Sequence, residues 1–233
     1  MQVKYVTFNH YEDEKFKAAL YEIAMMQKFI TEENNRYGYV YSEAFVVESG
    51  LDKDTHDKCL IILGENASAS LAEIINYRKM GKNPWTESQY RHLCHNLIRV
   101  VHEFHKQRIA HRDIRPHNFV FSPNKRSFVL GGLQQAVPVE TDSKIGYNLC
   151  GVPYYLTPKL MDIGKREDFS EYYSYDPFKT DIYALGVTLL SCLFLDQFTP
   201  PQILADSLKK YYSQWGFLRW VKEMVSDTPP RLE

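Results

Sequence analysis

His111-Arg112-Asp113 is followed, five residues after the aspartate, by Asn118. Asp113 is a side chain of the kind that accepts a proton, and Asn118 offers an amide oxygen and two N–H donors within the same short stretch. Apolar Ile109 on one side and Phe119-Val-Phe121 on the other flank these polar residues. A loop so bounded has to be held from outside, and the rest of the chain supplies candidates. Upstream, Thr86 as N-cap and Gln89 three residues on form a capping box, after which Tyr90, Leu93, Cys94, Leu97, Ile98, Val101 and Phe104 keep helical period. Downstream, Phe119–Phe121 and Ser127–Leu130 flank the turn cluster Pro123-Asn124-Lys125 and predict a hairpin. Asp181 to Leu195 is apolar nearly all round, the pattern of a central buried helix.

The N-terminal part reads differently. Met1 to Phe8 predicts a strand, Glu12 to Ile30 an amphipathic helix, and Ser42–Glu48 and Lys58–Leu63 two further strands. On the helix, Glu22 sits beside the apolar stripe and follows Lys4 of the first strand by 18 residues. A short helix over Ala69–Met80 ends at Gly81 and Pro84, and Trp215–Val225 predicts one more amphipathic helix.

His111-Arg112-Asp113-x-x-x-x-Asn118, Asp181-Ile-Tyr-Ala-Leu-Gly186 and Gly151-Val-Pro-Tyr-Tyr-Leu-Thr-Pro158 come in the order found in eukaryotic protein kinases. With the Lys4 strand and the Glu22 helix, the chain resembles that family from Lys4 to Arg231. The resemblance implies an α+β, bilobal protein-kinase-like fold: a truncated N-terminal sheet lobe over residues 1–66, and a mainly helical C-terminal lobe over 67–233 without the last helix. It implies that Asp113 takes the substrate hydroxyl proton, that Asn118 holds a metal ion, and that Arg115 stands where Ser/Thr kinases usually carry lysine. Lys4 would pair the nucleotide phosphates and be oriented by Glu22. Leu63 would be the gatekeeper, with the backbone of Gly64-Glu65-Asn66 contacting adenine. His111, Arg112 and Asp181 take structural roles in this reading, Asp181 bracing the loop backbone, and His105 packs ahead of the loop.

The departures are as informative. No G-x-G-x-x-G is present, so the resemblance implies a truncated chain or a lost phosphate-covering loop. Where the family has Asp-Phe-Gly, this chain has Gly132-Leu133-Gln134; sliding the register by one brings Gly131, so the metal-binding carboxylate is absent. Lys159 replaces the glutamate after Gly151–Pro158, opposite a basic Arg231 that cannot pair with it. These losses predict a pseudokinase, a scaffold or allosteric partner of other proteins, with ATP bound weakly or not at all. The alternative is an active Ser/Thr protein kinase using ATP and Mg²⁺ on protein substrates. A small-molecule phosphotransferase is disfavoured by Gly151–Pro158, a peptide-positioning segment.

Bulk properties set the frame. The 233 residues have room for one large domain or two small lobes, with 44% hydrophobic and 24% charged residues, ordinary for a globular protein. A net charge of −1 argues against nucleic acid or an anionic membrane as partner. Cys59, Cys94, Cys150 and Cys192 lie far apart with no C-x-x-C pair, which predicts free thiols in a reducing compartment. His92, His95, His102 and His105 share one helix without a carboxylate or thiol in a metal-binding spacing. With no signal-peptide pattern and no apolar run long enough to span a bilayer, the expectation is a soluble, cytoplasmic protein.

Overall fold

A computed structural model describes residues 2–29, 36–48, 58–140, 148–164 and 174–197. It opens with β1 (Gln2–Phe8), α1 (Glu14–Phe29), β2 (Tyr41–Glu48) and β3 (Lys58–Gly64). The three strands form an antiparallel sheet in the order β1-β3-β2, with Lys4 opposite Ile62 and Phe45 opposite Ile61. Alternation along β3 turns Leu60, Ile62 and Gly64 to the buried face, and α1 covers that face. Phe8, Phe16, Ala19, Leu60 and Ile62 make this small core, with the rings of Phe8 and Phe16 stacked at 4.2 Å.

α2 (Leu71–Met80) and α3 (Glu87–Lys106) each begin with a complete capping box, Ser70 with Glu73 and Thr86 with Gln89. The second was legible in the sequence; the first lay one residue inside the predicted start at Ala69. The last turns of α1 leave the small core and enter a larger one, where Phe29 stacks on Phe104 of α3 at 3.7 Å beside Met25, Met26 and Leu97. α1 therefore spans both cores, and its position is fixed at two ends by apolar burial.

The functional segment follows α3. β4 (Ile109–Ala110) leads into the loop, β5 (Phe119–Ser122) and β6 (Ser127–Leu130) form the predicted hairpin with Phe119 opposite Leu130, and β7 (Val137–Pro138) returns to pair with β4. α4 (Pro158–Gly164) is short. α5 (Pro177–Phe194) starts at an Asp176 cap with proline in its first turn and stops where Leu195 adopts a left-handed conformation, φ 51°. α5 is tied to α3 by side chains as well as by packing: Tyr90 Oη donates to Leu189 O at 2.9 Å and Trp85 Nε1 to Cys192 O at 3.0 Å.

All four cysteines are free; Cys94 and Cys192 are buried, and burial pushes the Cys94 thiol up to about 12. Among the described residues no helix is long and apolar enough to cross a membrane, and no group of His, Cys, Asp and Glu could hold a metal ion. The helix expected over Trp215–Val225, and Arg231, lie outside the described residues.

One buried carboxylate fixes the loop to α5. Asp181 is 1% exposed; its Oδ1 accepts from the backbone N–H of Arg112 and its Oδ2 from that of His111, both at 2.7 Å, and His105 Nε2 lies 2.9 Å from Oδ2. Replacing Asp181 with alanine strands these donors in the interior. Asp181→Ala is therefore expected to cost about 3 kcal/mol and lower Tm by several degrees, and Asp181→Asn, which keeps one acceptor, to cost less. Thermal unfolding of the two variants checks both the size and the order.

Candidate functional site

The site lies between the sheet and the loop, in a cleft of about 340 Å³. Lys4 reaches it from β1 because the alternation that exposes Val3 and Tyr5 turns Lys4 inward. Glu22 comes from α1, on the stripe that packs against the sheet, and is 1% exposed. The two meet at 2.6 Å. Glu22 is bound further: Tyr41 donates its hydroxyl to Oε1 and Gln134 its amide to Oε2, each at 2.6 Å. Burial first, and the Glu22 charge second, push the Tyr41 phenol far up, so the hydroxyl stays protonated and donates.

The opposite wall is the loop. Asn118 Nδ2 donates to the backbone oxygen of Asp113 at 2.6 Å and to its Oδ2 at 2.8 Å. The same Oδ2 accepts from Arg115 Nε at 3.1 Å. Pro116 to Asn118 forms a 3₁₀ turn in which Pro116 is buried, and this carries His117 into the cleft. Burial, and then the Arg115 charge, lower the His117 pKa and favour its neutral form.

Gly132 closes the cleft floor in a left-handed conformation, φ 73°. A Cβ at this position would lie 2.6 Å from Asn118 Oδ1. The space that a side chain here would need is thus filled by the Asn118 amide, itself fastened to Asp113. The following residues are held on several sides. Leu133 is fully buried, His111 Nε2 sits 2.9 Å from Gly131 O, and Tyr21 of α1 donates to Ala136 O at 2.7 Å.

The structure brings Lys4, Glu22, Asp113, Arg115, Asn118 and Gly132 together around one cleft. Leu63 and Glu65, expected as gatekeeper and as adenine-contacting backbone, are not among its lining residues. Ile62 and Gly64 face the cleft, so alternation points Leu63 to the other side of β3. Glu65 turns its side chain into a separate cluster, where Oε1 meets Lys125 at 2.7 Å and the Val40 N–H at 3.0 Å, and Ser122 donates to Oε2. At Gly64 the missing side chain is replaced from across the sheet: Tyr39 Oη would lie 2.5 Å from a Cβ there, and it donates to Glu65 O at 2.7 Å. Burial pushes the Tyr39 phenol up to about 12.

Sequence reasoning missed Tyr39, Tyr41, His117 and Gln134 as cleft residues. Alternating tyrosines at the start of β2 and a glutamine directly after Gly132-Leu133 were the signals available. Arg112 holds the far side of the loop, with Nη2 donating to Asn148 O at 2.8 Å and to Asn148 Oδ1 at 2.6 Å, and lying 2.9 Å from Cys150 Sγ. Lys159 is exposed.

This geometry has counterparts. A sequence model of the protein kinase domain matches residues 1–227, and the chain belongs to the protein kinase family. The fold is the bilobal α+β fold of that family, and ATP and Mg²⁺ serve its active members. Among relatives, the chain is 27% identical over 176 residues to the ovarian-specific serine/threonine-protein kinase Lok of Drosophila melanogaster, covering 72% of this chain and 34% of that protein. It is 23% identical over 192 residues to the serine/threonine-protein kinase mig-15 of Caenorhabditis elegans, covering 81% and 16%. It is 28% identical over 155 residues to the inactive serine/threonine-protein kinase PLK5 of Mus musculus, covering 66% and 23%. The chain spans about a third or less of the length of these relatives.

Two residues carry the metal in active members as implied above, and the donor set here does not fit one. Gly132 offers no carboxylate, which leaves the Asn118 amide oxygen as the one donor of the two, and Asp113 Oδ2 is shared by Arg115 and Asn118.

The contact between Gly132 and Asn118 is directly testable. Gly132→Ala combines a left-handed residue with a 2.6 Å clash and is expected to destabilise by about 1–3 kcal/mol. With Asn118→Ala the clash is relieved, so the double variant should be less destabilised than the sum of the singles by about 1 kcal/mol. A double-mutant cycle by denaturant unfolding measures that difference; simple additivity would mean the two side chains do not meet.

Proposed function

We propose that this kinase domain is catalytically impaired, a pseudokinase that works through contacts with protein partners and through its conformation. At most it binds ATP weakly. The observation that carries this reading is Gly132 at the metal-ligand position, with the Asn118 amide in the space a carboxylate would use. Phosphoryl transfer rests on positioning and on electrostatic stabilisation of the transferred group. Loss of a single neutral donor costs other enzymes roughly 10²–10³ in rate, and loss of a charged ligand should cost at least as much. The relative named as inactive, PLK5 of Mus musculus, supports the reading as a precedent for this domain without transfer. In this reading the two lobes divide near residue 66, the partner is a protein, nucleic acid and membranes have no part, and the site of action is the cytoplasm.

A second reading, an active Ser/Thr protein kinase, is favoured by the 2.6 Å Lys4–Glu22 pair and by the presence of Asp113 and Asn118 on one wall. The two separate in a transfer assay with radiolabelled ATP and a generic protein substrate. The expected result is no incorporation above that of Asp113→Ala, even at high protein concentration. Incorporation that Asp113→Ala abolishes would establish the second reading instead.

A further inference from the structure

At the end of the cleft next to β3, the chain's own side chains stand where a flat ligand would enter. Such a ligand would meet the backbone that leaves β3, and the polar groups of that backbone already have partners. The Glu65 N–H donates to Val40 O at 2.9 Å. Glu65 O accepts from the Tyr39 hydroxyl at 2.7 Å, and Ala67 O accepts from Gln2 Nε2 at 3.0 Å. Tyr39 and Gln2 also hold each other, the same hydroxyl lying 3.0 Å from Gln2 Oε1.

A tyrosine ring fits here because Gly64 leaves it room. A Cβ at Gly64 would lie 2.5 Å from Tyr39 Oη and 2.7 Å from Cε1, so a larger residue at this position would push the ring out. The ring is fastened from behind. Tyr39 N–H donates to Leu130 O at 3.0 Å, Leu130 N–H donates to Tyr37 O at 2.9 Å, and Tyr41 packs edge to face on the Tyr39 ring at 5.3 Å. Tyr39 is only 8% exposed although it lines the cleft. Gln2, by contrast, is exposed and reaches across from the start of β1.

We infer that Tyr39 and Gln2 form an internal plug that shuts the β3 end of the cleft to a flat ring such as a purine. The inference rests on the impaired-kinase reading above and adds the side chains that exclude the base of a nucleotide. A base reaches Glu65 O or Ala67 O only by displacing the Tyr39 hydroxyl or the Gln2 amide. Displacing Tyr39 also carries a buried aromatic ring towards water, which opposes entry further. The plug acts on the base, whereas the missing carboxylate at Gly132 acts on the metal ion.

The test is calorimetric titration of the full chain with adenosine, a probe that carries no phosphate and calls for no metal. The wild type is expected to show no binding at millimolar adenosine. Tyr39→Ala opens a ring-sized space and should gain affinity about tenfold or more, and Gln2→Ala, which frees Ala67 O alone, should gain less. Tyr37→Ala is the control: this tyrosine is also 8% exposed but does not line the cleft, and its loss should bring no gain. Thermal unfolding of each variant confirms that the fold is intact. If Tyr39→Ala does not fold, Gln2→Ala, at its exposed position, carries the comparison. Wild-type binding as tight as that of the variants, no gain in either cleft variant once folded, or an equal gain in Tyr37→Ala would each overturn the inference. The transfer assay keeps the two proposals apart. Phosphate transfer from ATP sinks both, whereas adenosine binding by the wild type without transfer sinks this one alone.

Discussion

A carboxylate with 1% exposure in the middle of a helix would cost several kcal/mol if left alone, and Glu22 is not left alone. Its ion pair and two hydrogen bonds come from three parts of the chain: Lys4 on β1, Tyr41 at the start of β2, and Gln134 just beyond Gly132. Burial of apolar surface sets where α1 lies, through Phe16 and Ala19 on the sheet and Met26 and Phe29 in the larger core. The demand of Glu22 for donors then decides which polar groups must converge on it. Sheet, helix and cleft floor are therefore fixed relative to each other by the chain itself.

The loop is stabilised from the other direction. Asp181 on α5 accepts from consecutive backbone N–H groups at His111 and Arg112, so the peptide leading to Asp113 is set by a buried acid in the larger core. Arg112 stands at a positive φ of 64°, a conformation uncommon for a residue with a side chain, and this acid holds it there. The two hub acids, Glu22 and Asp181, are not themselves expected to touch substrate. Kinase-like geometry can thus persist after the chemistry at the cleft floor has changed.

Much of this was legible in the sequence. The order of elements follows from periodicity, and the loop, α5 and the Lys4–Glu22 separation are local or have well-defined spacing. The capping box at Thr86 was readable because the signal lies within four residues. What escaped is what depends on facing. Leu63 and Gly64 are neighbours in the chain, and only the pairing register of β3 decides which one looks into the cleft. Alternation gives the inward place to Gly64, with Tyr39 filling the space beside it. The Glu65 side chain is held by Lys125, Ser122 and the Val40 N–H, partners dispersed over residues 40–125. Long-range polar clusters of this kind leave no local pattern.

Gly132 shows why a single absence has wide effects. In a site built for a metal, a carboxylate at this place and an Asn118 oxygen would be drawn towards one cation. With glycine there the carboxylate is missing, while Asn118 donates Nδ2 to Asp113 O and Oδ2 and keeps its Oδ1 turned towards Gly132. Asp113 in turn shares its Oδ2 with Arg115 at 3.1 Å. A free carboxylate is the form a base requires, and two hydrogen-bond donors on one oxygen lower its availability. The cleft keeps the residue types of a kinase except at Gly132, where the metal-binding carboxylate is absent.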